Sequence, residues 1–180
     1  MKLLLHTCCA PCSIYCIESL RNEGIEPVVY WFNPNIHPYT EYKKRKDTLE
    51  VYTKDIKVKA IFEEEYGLRE FCKNTIEDLQ NRCKNYCYIK RLEKTVQYAK
   101  ENNYNAFTST LFVSPYQNHE ELKRICEDLS KKYDIEFEQS NPTISYEDYL
   151  NVVNQRDSLN NTLNNLKNEL ENKKLEMELQ

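Results

Sequence analysis

The chain opens on an unbroken apolar run, Leu3-Leu4-Leu5. A short run of this kind, without alternation, predicts a strand buried on both faces. Similar runs occur at Val28-Val29-Tyr30-Trp31-Phe32, within Lys57–Phe62 and at Ala106–Phe112, with a shorter one at Ile135-Glu136-Phe137. Between them the apolar positions change period. Ile14, Tyr15, Ile17 and Leu20 fall at helical spacing and stop at Asn22-Glu23-Gly24. A charged helix is predicted over Tyr39–Tyr52 and a short one over Leu68–Lys73, while the polar stretch Asn74–Asn81 predicts nothing definite. Ile89, Leu92, Val96 and Ala99 form the apolar stripe of a helix over Tyr86–Glu101, and Leu122, Ile125, Cys126 and Leu129 that of one over Asn118–Lys132. Strand and helix alternate throughout, which predicts an α/β fold: a parallel sheet with helices on both faces.

The pattern changes near Gln139. From Tyr149 onward Val152, Leu159, Leu163, Leu166, Leu170 and Met177 follow an alternating three- and four-residue spacing, with Arg156 and Lys173 at the missing steps. That is a heptad helix, expected to pair with a second copy as a homodimer, the alternatives being a helix lying along the domain or a partly disordered tail. An isolated polar helix of this length is only marginally stable, so it needs a partner. Two parts are expected: residues 1–140 as the α/β domain, and 141–180 as a linker with a coiled-coil-like C-terminal helix.

Composition narrows the classes. The net charge of −4 gives no global basic field, so any nucleic-acid contact would have to be a local patch. No stretch approaches the roughly 20 apolar residues of a membrane span, and the N-terminal run is too short for a secretion signal. The expected setting is cytoplasmic. Eight cysteines there (8, 9, 12, 16, 72, 83, 87 and 126) predict metal, cluster or redox chemistry more readily than structural disulfides.

Four clusters carry the chemistry. His6-Thr7-Cys8-Cys9-Ala10-Pro11-Cys12 lies where the first strand passes into a helix, and Pro11 suits that helix's first turn. Free amides and the helix dipole there favour thiolate. Arg82-Cys83-Lys84-Asn85-Tyr86-Cys87 sits at the entrance to the long helix, with Lys90, Arg91 and Lys94 further along; such a basic run either holds phosphates or is a solvated face. Two cysteine pairs about seventy residues apart could hold one iron–sulfur cluster or one structural zinc, and spacing does not choose between them. Asn33-Pro34-Asn35-Ile36-His37-Pro38 is a loop stiffened by two prolines and suited to a pocket wall, although His37 alone reads as easily as a solvated histidine on a turn. Thr108-Ser109-Thr110, followed by Tyr116-Gln117-Asn118-His119-Glu120, offers hydroxyls and a Gln/His/Glu group to a polar ring; Asn118 could equally be a plain helix N-cap. Asn33, Asn35, His37, Tyr116, Gln117 and His119 are therefore the candidate substrate contacts.

Taken together, His6–Cys12, Phe32–Pro38 with Glu41-Tyr42, Cys87-Tyr88 with Arg91-Leu92 and Thr95, and Phe107–Leu111 with Ser114–Gln117 and His119-Glu120 resemble the QueH family in order from about residue 2 to 137. QueH proteins are iron–sulfur, non-corrinoid epoxyqueuosine reductases of tRNA queuosine synthesis. The resemblance implies a Rossmann-like sheet related to nucleotide α-hydrolases and a [4Fe–4S] cluster ligated by Cys8, Cys9, Cys83 and Cys87, with an additional iron as a further expectation. Cys12 belongs to the same motif but is a weaker ligand candidate; Cys16, Cys72 and Cys126 are expected to be packing. It also implies tRNA as substrate, an electron donor as partner and a flipped wobble base. No catalytic side chain follows from it.

Two departures stand out. The family's second pair is spaced Cys-x-x-Cys, whereas Cys83 and Cys87 enclose three residues, an excess expected to be taken up as a bulged turn. The family continues with an Asp-Phe-Arg segment and a C-terminal Cys-x-Cys, while here Glu138-Gln139-Ser140-Asn141 leads into the heptad region and no cysteine follows Cys126. The expectation is a truncated, fused or impaired relative, or one that receives electrons without that relay. The alternative reading is a zinc-binding, cysteine-rich module that binds tRNA or a protein without redox activity. A nucleotide-handling enzyme ranks last, because the first strand–helix turn has no Gly-rich phosphate loop.

Overall fold

A computed structural model describes residues 1–139 together with Glu169 and Lys173. The chain divides into two units, Met1–Thr143 and Ile144–Gln180. The heptad helix expected after Tyr149 lies outside the described residues, as does pairing through it.

The first unit is built on five parallel strands: β1 (Leu3–His6), β2 (Val28–Trp31), β3 (Ala60–Phe62), β4 (Ala106–Ser109) and β5 (Glu136–Phe137). Their order across the sheet is β3-β2-β1-β4-β5. The helices are α1 (Ala10–Asn22), α2 (Tyr39–Asp55), α3 (Leu68–Thr75), α4 (Tyr88–Glu101) and α5 (His119–Tyr133). α1 packs on α2 and α4 on α5, which clothes the sheet on both faces. The α/β architecture anticipated from strand–helix alternation is the one observed.

Leu3, Leu4 and Leu5 are fully buried at the centre of this sheet. At about 1.5–3 kcal/mol for each fully buried leucine, this short strand is a major source of stability. β1 pairs with β2 on one side and β4 on the other, Leu5 facing Val29 and Thr108. The chain first winds outward through β2 and β3, then returns to add β4 and β5 on the opposite side. The order therefore reverses between β1 and β4, and a doubly wound sheet opens its ligand crevice beyond the carboxyl ends of such a strand pair. Cys8 and Thr110 are the residues that emerge there.

Several boundaries differ from the pattern: β3 begins at Ala60 rather than Lys57 and α2 runs on to Asp55, and two further differences bear on the site. β4 ends at Ser109, and Thr110–Val113 forms a single 3₁₀ turn in place of continuing strand. The Ser109 hydroxyl accepts the Leu111 amide at 3.2 Å, a local bond that competes with the sheet ladder and stops it. At the long helix, the turn Cys83–Cys87 is π-helical before α4 begins, and the Tyr88 amide reaches back five residues to the Cys83 carbonyl. The extra residue between these cysteines is absorbed there, as the spacing predicted.

Candidate metal centre

Cys8 is the second residue beyond β1, and Cys9 is the N-cap of α1. Cys12 lies one turn into the helix, so its sulfur returns to the same place. The sulfurs of Cys8 and Cys9 are 3.7 Å apart, those of Cys9 and Cys12 3.2 Å, and all three fall within 4.8 Å of one another. Cys12 thus lies with the other two, as its place in the Cys8-Cys9-x-x-Cys12 motif predicted. All eight cysteines are free thiols.

The Cys8 amide donates to the Thr110 hydroxyl at 3.2 Å, and that hydroxyl donates back to the Cys8 sulfur at 3.6 Å. Bonding from Cys12 and Cys9, reinforced by Thr110 and the charge of Arg91, holds the Cys8 thiol well below its ordinary value despite burial. The others move the opposite way. Cys12 rises because Cys8 and Cys9 crowd it, and Cys9 is pushed up to about 12: its bond to Cys12 favours the thiolate, but Cys8 and burial outweigh that. One thiolate forms easily, and further ones need a cation to offset them.

Arg91 supplies one fixed positive charge. It is 5% exposed, and its Nε donates to the Cys87 carbonyl at 3.0 Å. Burial pushes its value down, yet a guanidinium stays protonated. No carboxylate pairs with it among the described residues; the ionisable groups whose charged forms would favour it are Cys8, Cys87, Cys83 and Tyr88. The basic run read as a phosphate site or a solvated face is neither at this position. Four residues after Cys87, the Arg91 side chain turns inward with that cysteine toward β1. Burial lifts Cys87 to about 11, opposed by the charge of Arg91 and aided by Cys83. A buried cation facing cysteines from both groups is an environment suited to an anionic thiolate-ligated metal.

The remaining strand ends frame this centre. His6 is fully buried: Nε2 donates to the Phe32 carbonyl at 3.3 Å, so Nδ1 accepts from the Ser109 hydroxyl at 2.9 Å. Burial lowers its value to about 3, and the ring is neutral. Asn33 donates from Nδ2 to the Thr7 carbonyl at 2.9 Å, tying the β2 exit to the strand that carries Cys8. Asn35 and His37 follow on that loop, with His37 between Tyr66 at 5.0 Å and Phe71 at 4.7 Å. It is not a solvated turn histidine. The rings of Tyr66 and Phe71, from a segment without a distinct sequence signal, cover it.

The other candidate loop separates into different roles. Gln117 accepts from the Tyr88 hydroxyl at 2.8 Å, which ties this loop to the start of α4. Tyr116 is 76% exposed. His119 donates from Nε2 to the Ser114 carbonyl at 2.8 Å and lines a cleft with Phe112, Lys123, Phe137 and Glu138. Asn118 is indeed the N-cap of α5, accepting the Glu121 amide at 3.0 Å. Cys16 and Cys126 are buried packing residues as expected, but Cys72 is exposed on the outer side of α3, where the short helix has no neighbour to cover it.

The sequence model of the family Epoxyqueuosine reductase QueH matches residues 3–158. The chain belongs to the QueH family. It is 33% identical over 156 residues to the epoxyqueuosine reductase QueH of Dehalococcoides mccartyi, covering 87% of this chain and 85% of the relative. Against the QueH of Histophilus somni it is 34% identical over 142 residues, covering 74% of this chain but 56% of that longer protein. Among solved structures, a predicted subunit of a tRNA methyltransferase from Methanocaldococcus jannaschii superposes with a TM-score of 0.53 at 14% identity, over 83% of this chain and 73% of the other. That likeness shows the α/β fold alone. The QueH match spans both cysteine groups and the β2 and β4 exits. QueH proteins are oxidoreductases, and the Cys8-Cys9-Cys12 group is compatible with a metal or iron–sulfur cofactor. Among the described residues no helix is long and apolar enough to cross a membrane.

Proposed function

We propose that the chain is an epoxyqueuosine reductase acting on the modified wobble base of tRNA. In that reaction both carbon–oxygen bonds of the epoxide break, a carbon–carbon double bond forms, and the oxygen leaves as water with two protons and two electrons taken up. The observation that supports it most directly is the buried Arg91 guanidinium, which has ionisable cysteines from two distant segments near it and no carboxylate partner among the described residues. Such a cation suits a centre whose net charge is negative.

The thiols suit a [4Fe–4S] cluster: among the described residues the sulfurs of Cys8, Cys9 and Cys12 lie within 4.8 Å of one another, while Cys83 and Cys87 stand outside that group. Cys8, Cys9, Cys83 and Cys87 are the proposed ligands, the second pair being drawn in as the cluster loads, and Cys12 is the fifth thiol, a donor for an additional iron. When bound, the cluster supplies electrons and a Lewis-acidic iron. The protein's own contribution is placement. Cys12 and Cys9 favour the Cys8 thiolate and Thr110 orients it, Arg91 balances the accumulated charge, and neutral His6 locks the carboxyl ends of β1, β2 and β4 in register. Asn33, Asn35 and His37 on one bank, and Tyr116, Gln117 and His119 on the other, are the proposed contacts to the base and its neighbours. The reduced thiols fit a cytoplasmic enzyme served by an external electron donor, and the C-terminal heptads would join two copies.

The test starts with protein purified without oxygen. Brown protein with iron and sulfide in similar amounts, and conversion of epoxyqueuosine-containing tRNA in a single turnover with a chemical reductant, are the expected results. Cys9→Ser should abolish both colour and turnover. Colourless protein with about one zinc per chain would favour the non-redox binding module.

A further inference from the structure

His37 stands apart from the other two histidines of the chain. His6 uses both ring nitrogens and His119 uses one. Both nitrogens of His37 are shut off from solvent, and neither has a hydrogen-bond partner among the described residues; the same holds for Oδ1 of Asn35, two positions earlier. A buried polar group left without a partner costs about 1–3 kcal/mol, so this arrangement is poorly explained as packing.

What covers the imidazole comes from a single segment between β3 and the Cys83–Cys87 turn. Tyr66 sets its ring edge to face against His37 and also meets Tyr39 at 5.1 Å and Tyr42 at 5.5 Å. Phe71, on the first turns of α3, tilts onto His37 and reaches Tyr86 at 6.4 Å, inside the turn between the two cysteines. Gly67 lies between the two covering residues and presses on the His37 loop. A Cβ added there would come within 2.7 Å of the Pro34 Cβ, so only glycine permits this approach. The outer side of the segment is solvent: Leu68, Cys72 and Ile76 are exposed. Ring contacts hold the cover, and such contacts can be exchanged for another flat ring at little cost.

We propose that His37 hydrogen-bonds the polar edge of the incoming nucleobase, and that Tyr66 and Phe71 are an aromatic cover which the base displaces and then stacks against. The proposal rests on placing the tRNA base at this end of the sheet. A neutral imidazole offers one donor and one acceptor, Asn35 Oδ1 offers a further acceptor, and tyrosine and phenylalanine faces receive a base taken out of its stack. Occupancy by the base would satisfy the groups that are orphaned without it.

The experiment measures acylation of each histidine by diethyl pyrocarbonate in the anaerobically purified full chain, at one pH, with peptides read by mass spectrometry. His37 should react as slowly as His6. Phe71→Ala and Tyr66→Ala, with circular dichroism unchanged, should speed His37 at least about tenfold and leave His6 alone. A synthetic anticodon stem–loop carrying the epoxide-modified base should then protect His37 in both variants, and the same stem–loop carrying guanosine should protect it far less. His37→Gln should raise KM by about tenfold, the worth of one hydrogen bond, with a smaller change in kcat. If His37 stays slow in both folded variants, the cover is wrong. If the modified stem–loop binds without protecting His37, the contact is wrong. If the variants expose His37 but no stem–loop binds, the cover stands and the substrate reading, with the role given to His37, falls.

Discussion

The exits of β4 and β2 lie on either side of β1, and they treat their polar atoms in opposite ways. At the β4 exit the Ser109 hydroxyl serves His6 and the Leu111 amide, and the Thr110 hydroxyl exchanges bonds with the amide and sulfur of Cys8. At the β2 exit Asn35 Oδ1 and both His37 nitrogens are buried without a partner among the described residues. The first bank is finished by folding. The second is complete only with something bound, and that contrast separates residues that hold the metal ligands from residues suited to substrate.

The comparison can be broken by mutation. The largest effect is expected at Arg91, the buried cation on which cysteines of both groups act. Arg91→Leu removes the buried countercharge, and should cost about 3–5 kcal/mol in chemical denaturation of the metal-loaded protein and lower its iron content. A charge-free centre would tolerate the change.

Next is the β4 bank. Ser109→Ala leaves a buried imidazole nitrogen and the Leu111 amide without their oxygen, an expected loss of about 1–3 kcal/mol in unfolding free energy. A loss as small as that from an exposed serine would show that this bank is not held as described.

His6 gives a pH signature. Its folded value of about 3 lies below the ordinary 6.5, so between those limits the unfolded chain binds the extra proton. The stability of metal-free protein should be fully present above pH 6.5 and fall as the pH drops toward 3. Nitrogen NMR of the ring should find it neutral down to about pH 4, and an imidazole that titrates near 6.5 would contradict its burial.

The smallest effect belongs to the β2 bank. Asn35→Ala removes an oxygen that nothing bonds, so thermal unfolding should move by no more than about 0.5 kcal/mol while affinity for the modified stem–loop falls. A large stability loss at Asn35, matching that at Ser109, would erase the difference between the two exits.

Much of the fold was legible because its signals are local. Leu3-Leu4-Leu5 reads as a central strand from its own apolarity, Pro11 and Asn118 mark helix starts through their own backbone and capping chemistry, and the surplus residue between Cys83 and Cys87 foretold a bulged turn. The same locality misled at Arg91, which looked like one of a basic run, and at Cys72, which looked like one more packing thiol.

By itself, then, the order of residues determined the strands, the helices, the family and the two cysteine groups, since each depends on neighbours a few positions away. The tertiary structure decided how closely the three sulfurs approach, which cation faces them, where β4 stops and which histidine lies covered and unpartnered. Those outcomes depend on burial and on charges brought from segments up to 103 residues apart, as between His6 and Ser109. A group's dielectric surroundings and hydrogen-bond partners exist only once the sheet has assembled them.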